Sequence, residues 1–276
     1  YYLMDGYNDS NYPDVTPERD GKRLIVQPNT FNMYCHREPR FYLTVVWNGQ
    51  WFKWENRNTN FLYGQPDGGP THDAPQNGYL NRSRVSLDYI PRDNNHPYRP
   101  AIIFRMAEAY LSYAEALNES SERMSHKQEI LDNLNKIRHR AGIAEYGTGT
   151  DENGFTRIKI NFSDQKEVRR FIHKERRVEF VGEGVRYHDL RRWKTAHYGI
   201  GNLNEQGENP DWGVNGPDYG MNYYGTEYTD QGDNAFFKRT KYMDRVYPRK
   251  FYWYPIHQSE IDKDPTLVQG PFWLGE

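Results

Sequence analysis

The chain has 276 residues, a formal net charge of −2 at pH 7, and 36% hydrophobic and 16% aromatic residues. This charge balance argues against nucleic-acid or anionic-membrane binding through a general basic field, and the aromatic content is too high for a disordered chain. The single cysteine, Cys35, excludes an intrachain disulfide framework and a cysteine-based zinc site. No apolar stretch reaches the length of about 18 residues that a membrane-spanning helix needs.

Residues 1–100 are predicted to be an irregular, loop-rich region that contains one β-hairpin. Asn48-Gly49, a preferred hairpin-turn dipeptide, lies between two β-rich runs and predicts a hairpin over 41–55. Cross-strand pairing about this turn would leave Trp51 on the more exposed face. The Gly/Pro/Asn-rich segment 56–100 predicts a long loop, and such loops are commonly functional or disordered. The buried face of the hairpin would carry Leu43, Val45, Trp47, Phe52 and Trp54.

Four helices are predicted within residues 101–195. Apolar residues at helical spacing indicate helices over 102–117 and 126–140, and Gly142 suits the left-handed stop of the second. A third helix is predicted over 164–181, with Asp164 as N-cap and Glu167 at the spacing of a capping box. The pattern resumes over 185–194. Residues 196–276 are predicted to form a loop-rich C-terminal region that packs on the helices and contains a strand-like run, FYWYPI, from residue 251.

The charged segment 171–193 is predicted to belong to a structural ion network. It carries four acidic and six basic residues, interleaved with apolar residues at helical spacing. Glu175, Glu179 and Glu183 recur every four residues and share one helix stripe, where like charges repel unless basic partners lie nearby. The predicted members of the network are Arg105, Glu108, Glu115, Glu175, Arg176, Glu179, Glu183, Arg186, Asp189 and Arg191.

The sequence does not assemble a catalytic site. Paired carboxylates would suit glycoside hydrolysis, but arginine partners lower a carboxyl pKa, which is the wrong direction for a general acid. The histidines are scattered, and the chain contains no HExxH pair, serine-nucleophile elbow or phosphate-binding loop. We therefore predict no enzymatic activity, no metal site and no cofactor.

Two loop clusters combine aromatic rings with amides and charges. A flat ring covers the apolar face of a sugar, while Asn, Asp, Gln and Arg pair with its hydroxyl rim. The clusters are WFKWENRNTNFLY at 51–63 and WGVNGPDYGMNYYGTEY at 212–228. The same aromatics also suit small buried cores, which loops without regular structure commonly form. The candidate glycan contacts are Trp51, Asn56, Arg57, Tyr63, Trp212 and Tyr219.

Four motifs, in the right order, resemble those of the SusD/RagB family. HKERRVEFVGEGVRYHDLRRWK at 173–194 resembles the family's charged hallmark segment. RMAEAYLSYAEALN at 105–118 and NKIRHRAG at 135–142 resemble two of its helices. YPIHQSEI followed by QGPFW, within 254–273, resembles its closing motif, although His257 and Gly270-Pro271 depart from the usual pattern. EPRF at 38–41 resembles a further family motif.

This resemblance implies a mainly α fold, an alpha-alpha superhelix of tetratricopeptide-like hairpins with long loops and a few short strands. It implies a single SusD-like domain whose N-terminal half, with its signal and lipid-modified cysteine, lies outside this sequence. The implied role is a surface-facing lipoprotein of the outer membrane, which captures oligo- or polysaccharide for a TonB-dependent, SusC-like transporter. Family members place their glycan site partly in loops before the third helical hairpin, which favours the region 51–98 over 212–228.

Two other functions stay open at the level of the sequence. A carbohydrate-active hydrolase would release reducing sugar and would depend on Glu175 and Glu179. A protein-interaction module would bind its partner through the helices without any dependence on sugar, and Trp51→Ala or Trp212→Ala would leave that binding intact. Capture of a nutrient other than a sugar is also compatible with the resemblance.

Overall fold

The computed structural model describes residues 18–19, 23–24, 30–35, 37–52, 55–83, 85, 94, 98, 101–199 and 213–274. This described part is rich in helix, with a few short strands, as the sequence predicted. Its α-helices are α1 (Pro39–Thr44), α2 (Met106–Glu119), α3 (Lys127–Ala141), α4 (Gln165–Glu179), α5 (Val185–Arg192) and α6 (Gln258–Lys263). Across these residues, no helix combines the length and the apolar character needed to span a membrane.

The strands form separate two-stranded sheets. The pairs β1–β2, β3–β6 and β4–β5 are antiparallel, and β7 pairs with β8. Sheets this small bury little surface by themselves and depend on the packing around them. The strands are β1 (Glu18–Arg19), β2 (Arg23–Leu24), β3 (Val45–Trp47), β4 (Trp51–Phe52), β5 (Arg57–Asn58), β6 (Tyr79–Asn81), β7 (Gly216–Gly220) and β8 (Thr240–Arg245).

The chain divides into two compact units. The first comprises Tyr1–Gly184 and Tyr219–Thr240, and it contains α1 to α4. The second comprises Val185–Asp218 and Lys241–Glu276, and it contains α5 and α6. The buried core of the second unit is formed by Leu190, Ala196 and Tyr247, with Val214 and Tyr252 packed against them.

Helices α2, α3 and α4 are the longest helices of the first unit, and α2 packs against both of the others. Their starts and ends follow the sequence signals. Asp164 caps α4 by accepting bonds from the backbone N–H groups of Lys166 and Glu167. Gly142 ends α3 in the left-handed conformation, with φ 67° and ψ 35°. These features confirm the helix predictions to within a few residues at each end.

An aromatic core forms beside the helices in the first unit. Trp47 is completely buried in it, and its ring lies 5.4 Å from those of Phe41 and Tyr42. Phe61 and Met221 bring two distant loops to this core. The core therefore fixes segments that are far apart in the sequence. Its other buried members are Tyr34, Val45, Phe236 and Phe237.

The hairpin predicted over 41–55 is wrong, although its turn exists. Gln50 N–H donates to the Trp47 carbonyl at 3.2 Å, and Gly49 adopts a positive φ of 91°, so the chain does turn at Asn48-Gly49. The flanking runs do not pair with each other, because β3 pairs with β6 and β4 pairs with β5. Pro39 occupies the first turn of α1, where its missing N–H costs nothing, and the helix takes up residues that the pattern assigned to a strand.

Three details of the predicted pattern also change. Leu43 is 56% exposed on α1 instead of buried on a strand face, and Trp54 lies outside the described residues. The FYWYPI run is not a strand, since Arg249–Tyr252 form a 3-10 helix that ends before the extended residues leading to α6. The capping box is half made, because Glu167 accepts from the backbone of Asn161 instead of from its N-cap.

Candidate functional site

Glu175 is at the centre of a buried ion network in the first unit. Arg40 Nη1 donates to its Oε1 at 2.7 Å, and Arg138 Nη1 donates to its Oε2 at 2.8 Å. Arg138 also donates to the Tyr146 hydroxyl at 3.1 Å. Arg40 in turn donates through Nε and Nη2 to both carboxylate oxygens of Glu38, at 3.0 and 2.9 Å. The network therefore joins α1, α3 and α4 around one carboxylate.

Glu179, one helical turn further along α4, extends this network. It accepts from Arg40 Nη1 at 3.0 Å and pairs with Arg105 and Arg140 as well. Arg105 donates to both carboxylate oxygens of Glu183 at 3.0 and 2.7 Å. The row of like charges on α4 is thus compatible with a folded helix because arginines from other segments neutralise it.

The other predicted members in the first unit differ in how closely they contact basic groups. Glu115 lies 3.7 Å from His173 Nε2 and 3.9 Å from Arg176 Nε. Glu108 forms no ion pair with any residue in the described ranges. The network in the first unit therefore includes Glu115 and Arg176 at longer distances and leaves Glu108 outside its close contacts.

The predicted members Arg186, Asp189 and Arg191 belong to the second unit and make local contacts there. Asp189 accepts from Arg192 Nε at 2.9 Å, and the Arg186 guanidinium lies 5.9 Å from the Trp193 ring centroid. Arg191 Nη1 donates to the Tyr187 and Tyr254 hydroxyls at 2.6 and 3.1 Å, and Nη2 donates to the Tyr252 carbonyl at 2.8 Å. This arginine ties α5 to the segment that precedes α6.

The electrostatics of Glu175 suit a structural carboxylate. Burial raises the pKa of Glu175, but the charges and hydrogen bonds of Arg40 and Arg138 outweigh it and hold the pKa at about 2. The same balance of burial against arginine partners lowers the pKa of Glu179. Both groups are ionised at neutral pH, whereas a general acid needs a proton to donate. Within the described ranges, His, Cys, Asp and Glu side chains also form no group placed to hold a metal ion.

A different cluster brings the two predicted aromatic loops together. Tyr63 from the first loop contacts Tyr223 and Tyr224 from the second, with ring centroids 6.0 and 5.5 Å apart. Tyr223 and Tyr224 pack edge to face, 5.1 Å apart and at 88°. Tyr224 is 70% exposed to solvent. We call Tyr63, Tyr223 and Tyr224 the tyrosine cluster.

Two buried anchors position the tyrosine cluster. Phe61 lies two residues before Tyr63, Met221 lies two residues before Tyr223, and both anchors are in the aromatic core. A backbone bond from Tyr63 N–H to the Gly225 carbonyl, at 2.8 Å, joins the loops directly. The rings are therefore carried by loops that a packed core holds in place.

Close backbone packing and a local turn complete the support of the cluster. A Cβ atom added to Gly69 would lie 2.5 Å from the Tyr223 ring, so only glycine permits this approach. The Asn222 side chain accepts from Tyr224 N–H at 3.2 Å, as in an Asx turn. The same side chain donates to the Ala235 carbonyl at 3.2 Å, so the turn is itself tied to a later segment of the same loop.

The loop that carries Tyr63 is closed by an ion pair. Arg57 Nη1 and Nη2 donate to the two carboxylate oxygens of Asp67 at 2.6 and 2.8 Å. Asp67 also accepts from Asn60 N–H at 2.8 Å. Burial raises the pKa of Asp67, but the bonds from Arg57 and Asn60 prevail and lower it below its usual value. Arg57, predicted as a glycan contact, thus directs its donors to its own loop.

The other predicted contacts lie at several places. Trp51 is half-buried in β4, where it pairs with Asn58 of β5. Asn56 is exposed in the turn between these strands, with a φ of 51°. Tyr219 lies in β7, where the Arg239 guanidinium is 4.0 Å from its ring centroid. Trp212 lies outside the described residues.

Sequence reasoning missed the residues that give this surface its shape. Tyr223 and Tyr224 were inside the second aromatic cluster, but nothing in the pattern distinguished them from Tyr219 or Tyr228. Asp67 could have been predicted to stabilise its loop, since a carboxylate in a Gly/Pro-rich loop often hydrogen-bonds the backbone of that loop. Tyr224 offers an exposed, flat phenol ring, and Asn60 and Gln65, whose side chains bond each other at 3.3 Å, are polar groups of the loop that carries Tyr63.

Comparison with known proteins agrees with this architecture. Two curated relatives from Formosa agariphila are similar to part of the chain. SusD-like protein P38 is 33% identical over 103 residues, which are 37% of this chain and 19% of the relative. SusD-like protein P25 is 32% identical over 109 residues, which are 40% of this chain and 18% of the relative. The matched region thus spans about a fifth of the length of either relative.

Solved structures extend the similarity over most of the chain. The selenomethionine form of BT4246 superposes with a TM-score of 0.64 at 23% identity, covering 97% of this chain and 42% of that one. A SusD-like protein from Bacteroides fragilis, BF3747, superposes with a TM-score of 0.61 at 26% identity, covering 90% and 41%. Both comparisons assign the tetratricopeptide-like helical fold that the motifs implied. A model of the SusD family matches residues 2–273. With its motifs, its helices and nearly its full length in agreement, this chain belongs to the SusD family.

Proposed function

We propose that this protein binds oligo- or polysaccharide without catalysis at the bacterial outer-membrane surface, and delivers it to a TonB-dependent, SusC-like transporter for nutrient uptake. The observation that carries the proposal is the tyrosine cluster, in which the 70% exposed Tyr224 packs against the rings of Tyr63 and Tyr223. The general role of the SusD family, glycan binding in nutrient uptake, supports the same conclusion.

The tyrosine cluster suits a sugar for physical reasons. A pyranose ring has apolar C–H faces and a polar rim, so it gains from contact with a flat, amphipathic side chain. Tyr224 presents such a face, and a tyrosine loses little rotational entropy when it binds. Asn60 and Gln65 lie on the same loop as Tyr63 and supply amide groups for the rim. The anchored loops reduce the ordering that binding would otherwise require.

The absence of catalysis in this proposal is supported by the state of the carboxylates. The pKa of Glu175 is about 2, and the carboxyl is enclosed by arginines with no exposed side-chain surface. A glycosidase acid needs a raised pKa and access to the glycosidic oxygen. Glu175 and Glu179 were the residues on which the hydrolase hypothesis depended, and their surroundings favour a structural role.

Membrane attachment and the transporter partner rest on family membership. We propose attachment through an N-terminal lipid anchor that lies outside this sequence, with the tyrosine cluster facing the medium. The transporter would receive the glycan from the bound protein. Co-purification of the protein with a SusC-like transporter from detergent-solubilised outer membranes is the direct test, and recovery of the protein from the cytoplasmic fraction alone would contradict this placement.

The binding proposal is tested by isothermal titration against a panel of neutral oligosaccharides, with reducing-sugar release measured in parallel. We expect binding of at least one glycan, no release of reducing ends, and weaker binding by Tyr224→Ala. The matched control is Tyr254→Ala, another strongly exposed tyrosine (75%) that lies in the second unit. Hydrolysis without stable binding would support the hydrolase hypothesis. Transporter binding without any response to glycan would support the protein-interaction hypothesis.

A further inference from the structure

A second concave surface in the first unit shares no residue with the tyrosine cluster. It is a groove with a volume of about 910 Å³ between α3 and the segment 145–162, with Tyr110 of α2 at its side. This volume lies near the upper end of the range of about 300–1,000 Å³ that is typical of ligand sites. The groove is therefore large enough for several linked sugar or amino-acid residues.

Three lysines line this groove without carboxylate partners. In the described part of the chain, no carboxylate oxygen lies within 4.0 Å of the ammonium groups of Lys127, Lys136 and Lys159. Lys127 Nζ lies 5.3 Å from the Phe162 ring centroid, and Lys136 Nζ lies 4.5 Å from that of Tyr110. A ring face holds an ammonium group in place without cancelling its charge. Lys136 Nζ also donates to the neutral Asn133 Oδ1 at 3.3 Å. Positive charge is thus positioned in the groove without a salt-bridge partner.

One carboxylate of the groove is neutralised by an arginine, and another accepts from a neutral amide. Arg157 donates to Glu145 through Nε and Nη2 at 3.1 and 2.8 Å, so this pair neutralises itself. Asp132 accepts from Gln128 Nε2 at 2.8 Å. The lining has one more basic than acidic side chain, whereas the whole chain carries a net charge of −2. The charged lining residues are Lys127, Lys136, Arg157 and Lys159, against Asp132, Glu145 and Glu152.

The walls of the groove are polar. Among its apolar members, Leu131, Tyr146 and Phe162 are only 8%, 2% and 6% exposed, and only Ile160 and Tyr110 are half-buried, so the groove offers few apolar surfaces to an apolar side chain. A bound peptide usually depends on such hydrophobic anchors. The ring faces of Tyr110 and Phe162 are already covered by ammonium groups, which disfavours stacking of a neutral sugar. A hydrophilic, negatively charged chain fits these walls best.

We propose that this groove is a second glycan-binding site, specific for acidic oligosaccharides whose carboxylates pair with Lys127, Lys136 and Lys159. It goes beyond the function assigned to the tyrosine cluster, because its recognition is electrostatic and does not use stacking. The two surfaces would allow the protein to hold a polysaccharide that carries both neutral and uronic-acid residues.

The test uses tetragalacturonic acid as the probe and its fully methyl-esterified form as the uncharged counterpart. Isothermal titration of the whole chain should give affinity for the acid that is about tenfold higher than for the ester, since exposed charge pairs each contribute a fraction of a kcal/mol. The affinity for the acid should fall as salt is raised, because exposed charges are screened. A similar loss, about tenfold, is expected for the triple variant K127Q/K136Q/K159Q.

The matched control is K238Q/K241Q/K263Q, which removes three exposed lysines outside the groove and should leave the affinity unchanged. Tyr224→Ala should also bind the acid as before, and a loss in this variant would place the acid at the tyrosine cluster and overturn the proposal. Equal binding of the ester, no binding of the acid, or unchanged binding by K127Q/K136Q/K159Q would overturn it as well.

Tighter binding of hexaglutamate than of the acid would identify an acidic peptide as the ligand and reject the glycan. Failure at this groove leaves the neutral-glycan titration of the tyrosine cluster unaffected, so the two proposals are separable.

Discussion

Arg138 Nη1 lies 2.8 Å from Glu175 Oε2, and neither side chain has any solvent-exposed surface. This pair connects α3 to α4, and Arg40 connects the same carboxylate to α1. Phe41 follows Arg40 and belongs to the aromatic core, from which the tyrosine cluster is positioned. The ion network and the candidate binding surface are therefore linked through consecutive residues of one short helix.

Glu175→Gln should destabilise the protein by about 3–5 kcal/mol, because the buried guanidinium groups of Arg40 and Arg138 would lose the ionised carboxylate that they share. Urea denaturation followed by circular dichroism measures this change. The control is Glu119→Gln, which removes a carboxylate paired with Arg169 at the surface and should cost about 1 kcal/mol or less. Equal losses of unfolding free energy in the two variants would show that the buried ion pairs stabilise the protein no more than the surface pair does.

The stability should fall in acid in a way that depends on Glu175. Its folded pKa is about 2 against an ordinary value of 4.5, so its contribution is present above pH 4.5 and is lost as the pH falls through 2. A shift of this size corresponds to about 3 kcal/mol. Burial raises the pKa of Glu38, so that group acts in the opposite sense, favouring the fold where it is protonated.

The contribution of Glu175 to stability is therefore measured as the difference in unfolding free energy between the native protein and Glu175→Gln. The free energies of unfolding of the native protein and of Glu175→Gln should converge as the pH is lowered from 4.5 towards 2, because the Glu175 carboxylate, which the variant lacks, becomes protonated in this interval. Parallel curves over this interval would contradict the assignment.

Gly142→Ala should cost about 1–2 kcal/mol, because a φ of 67° places an L-residue in the left-handed region. In the described part of the chain, nothing beyond the adjoining residues and the helix's own backbone lies within 4 Å of the position of an added Cβ, so the cost is conformational and not steric. Gly142→Asn should cost clearly less, since asparagine tolerates this conformation. Thermal unfolding of the two variants compares them directly, and the same loss for both would point to a different cause.

Tyr224→Ala should weaken binding of a neutral glycan about three- to tenfold, the value expected when one stacking ring is lost. Tyr224→Phe keeps the flat face and should retain most of the affinity. Isothermal titration of both variants separates stacking from hydrogen bonding by the hydroxyl. If the phenylalanine variant loses as much as the alanine variant, the ring face is not the part that the sugar recognises.

Arg57→Lys should lower the affinity of the tyrosine cluster for a glycan, although Arg57 donates its hydrogen bonds to Asp67. A lysine cannot reproduce the two parallel bonds of 2.6 and 2.8 Å, so the loop that carries Tyr63 would loosen. Asp67→Asn should have a similar effect, and the double variant should lose no more than either single one. Additive losses in this cycle would show that Arg57 contacts the glycan itself.

Much of the helical part was predictable from local patterns. Asp164 and Gly142 mark helix ends through backbone chemistry that acts within a few residues, and apolar spacing located α2, α3 and α4. The hairpin prediction failed for the opposite reason. Asn48-Gly49 forms a turn, as its dipeptide preference predicts. Strand partners, however, depend on distant segments, and β3 pairs with β6.

The tyrosine cluster could be predicted only as two loops, not as a site. Each loop is rich in aromatic residues, and the sequence does not state which rings become core and which remain exposed. Trp47 became a core residue with no exposed surface, while Tyr224 remained at the surface. The partner of Arg57 was also undetermined, since Glu55, Asp67 and Asp73 all lie near it in the sequence.

By itself, the sequence determined the family, the helices and the need for a charge network, because each rests on short-range spacing and on motifs that keep their order along the chain. The tertiary structure alone decided that Arg40 and Arg138 share Glu175, and that Tyr63 meets Tyr223 and Tyr224. These contacts join residues far apart in the chain. Their physical cause is the packing of the aromatic core and the helices, which selects one arrangement among many that the local pattern permits.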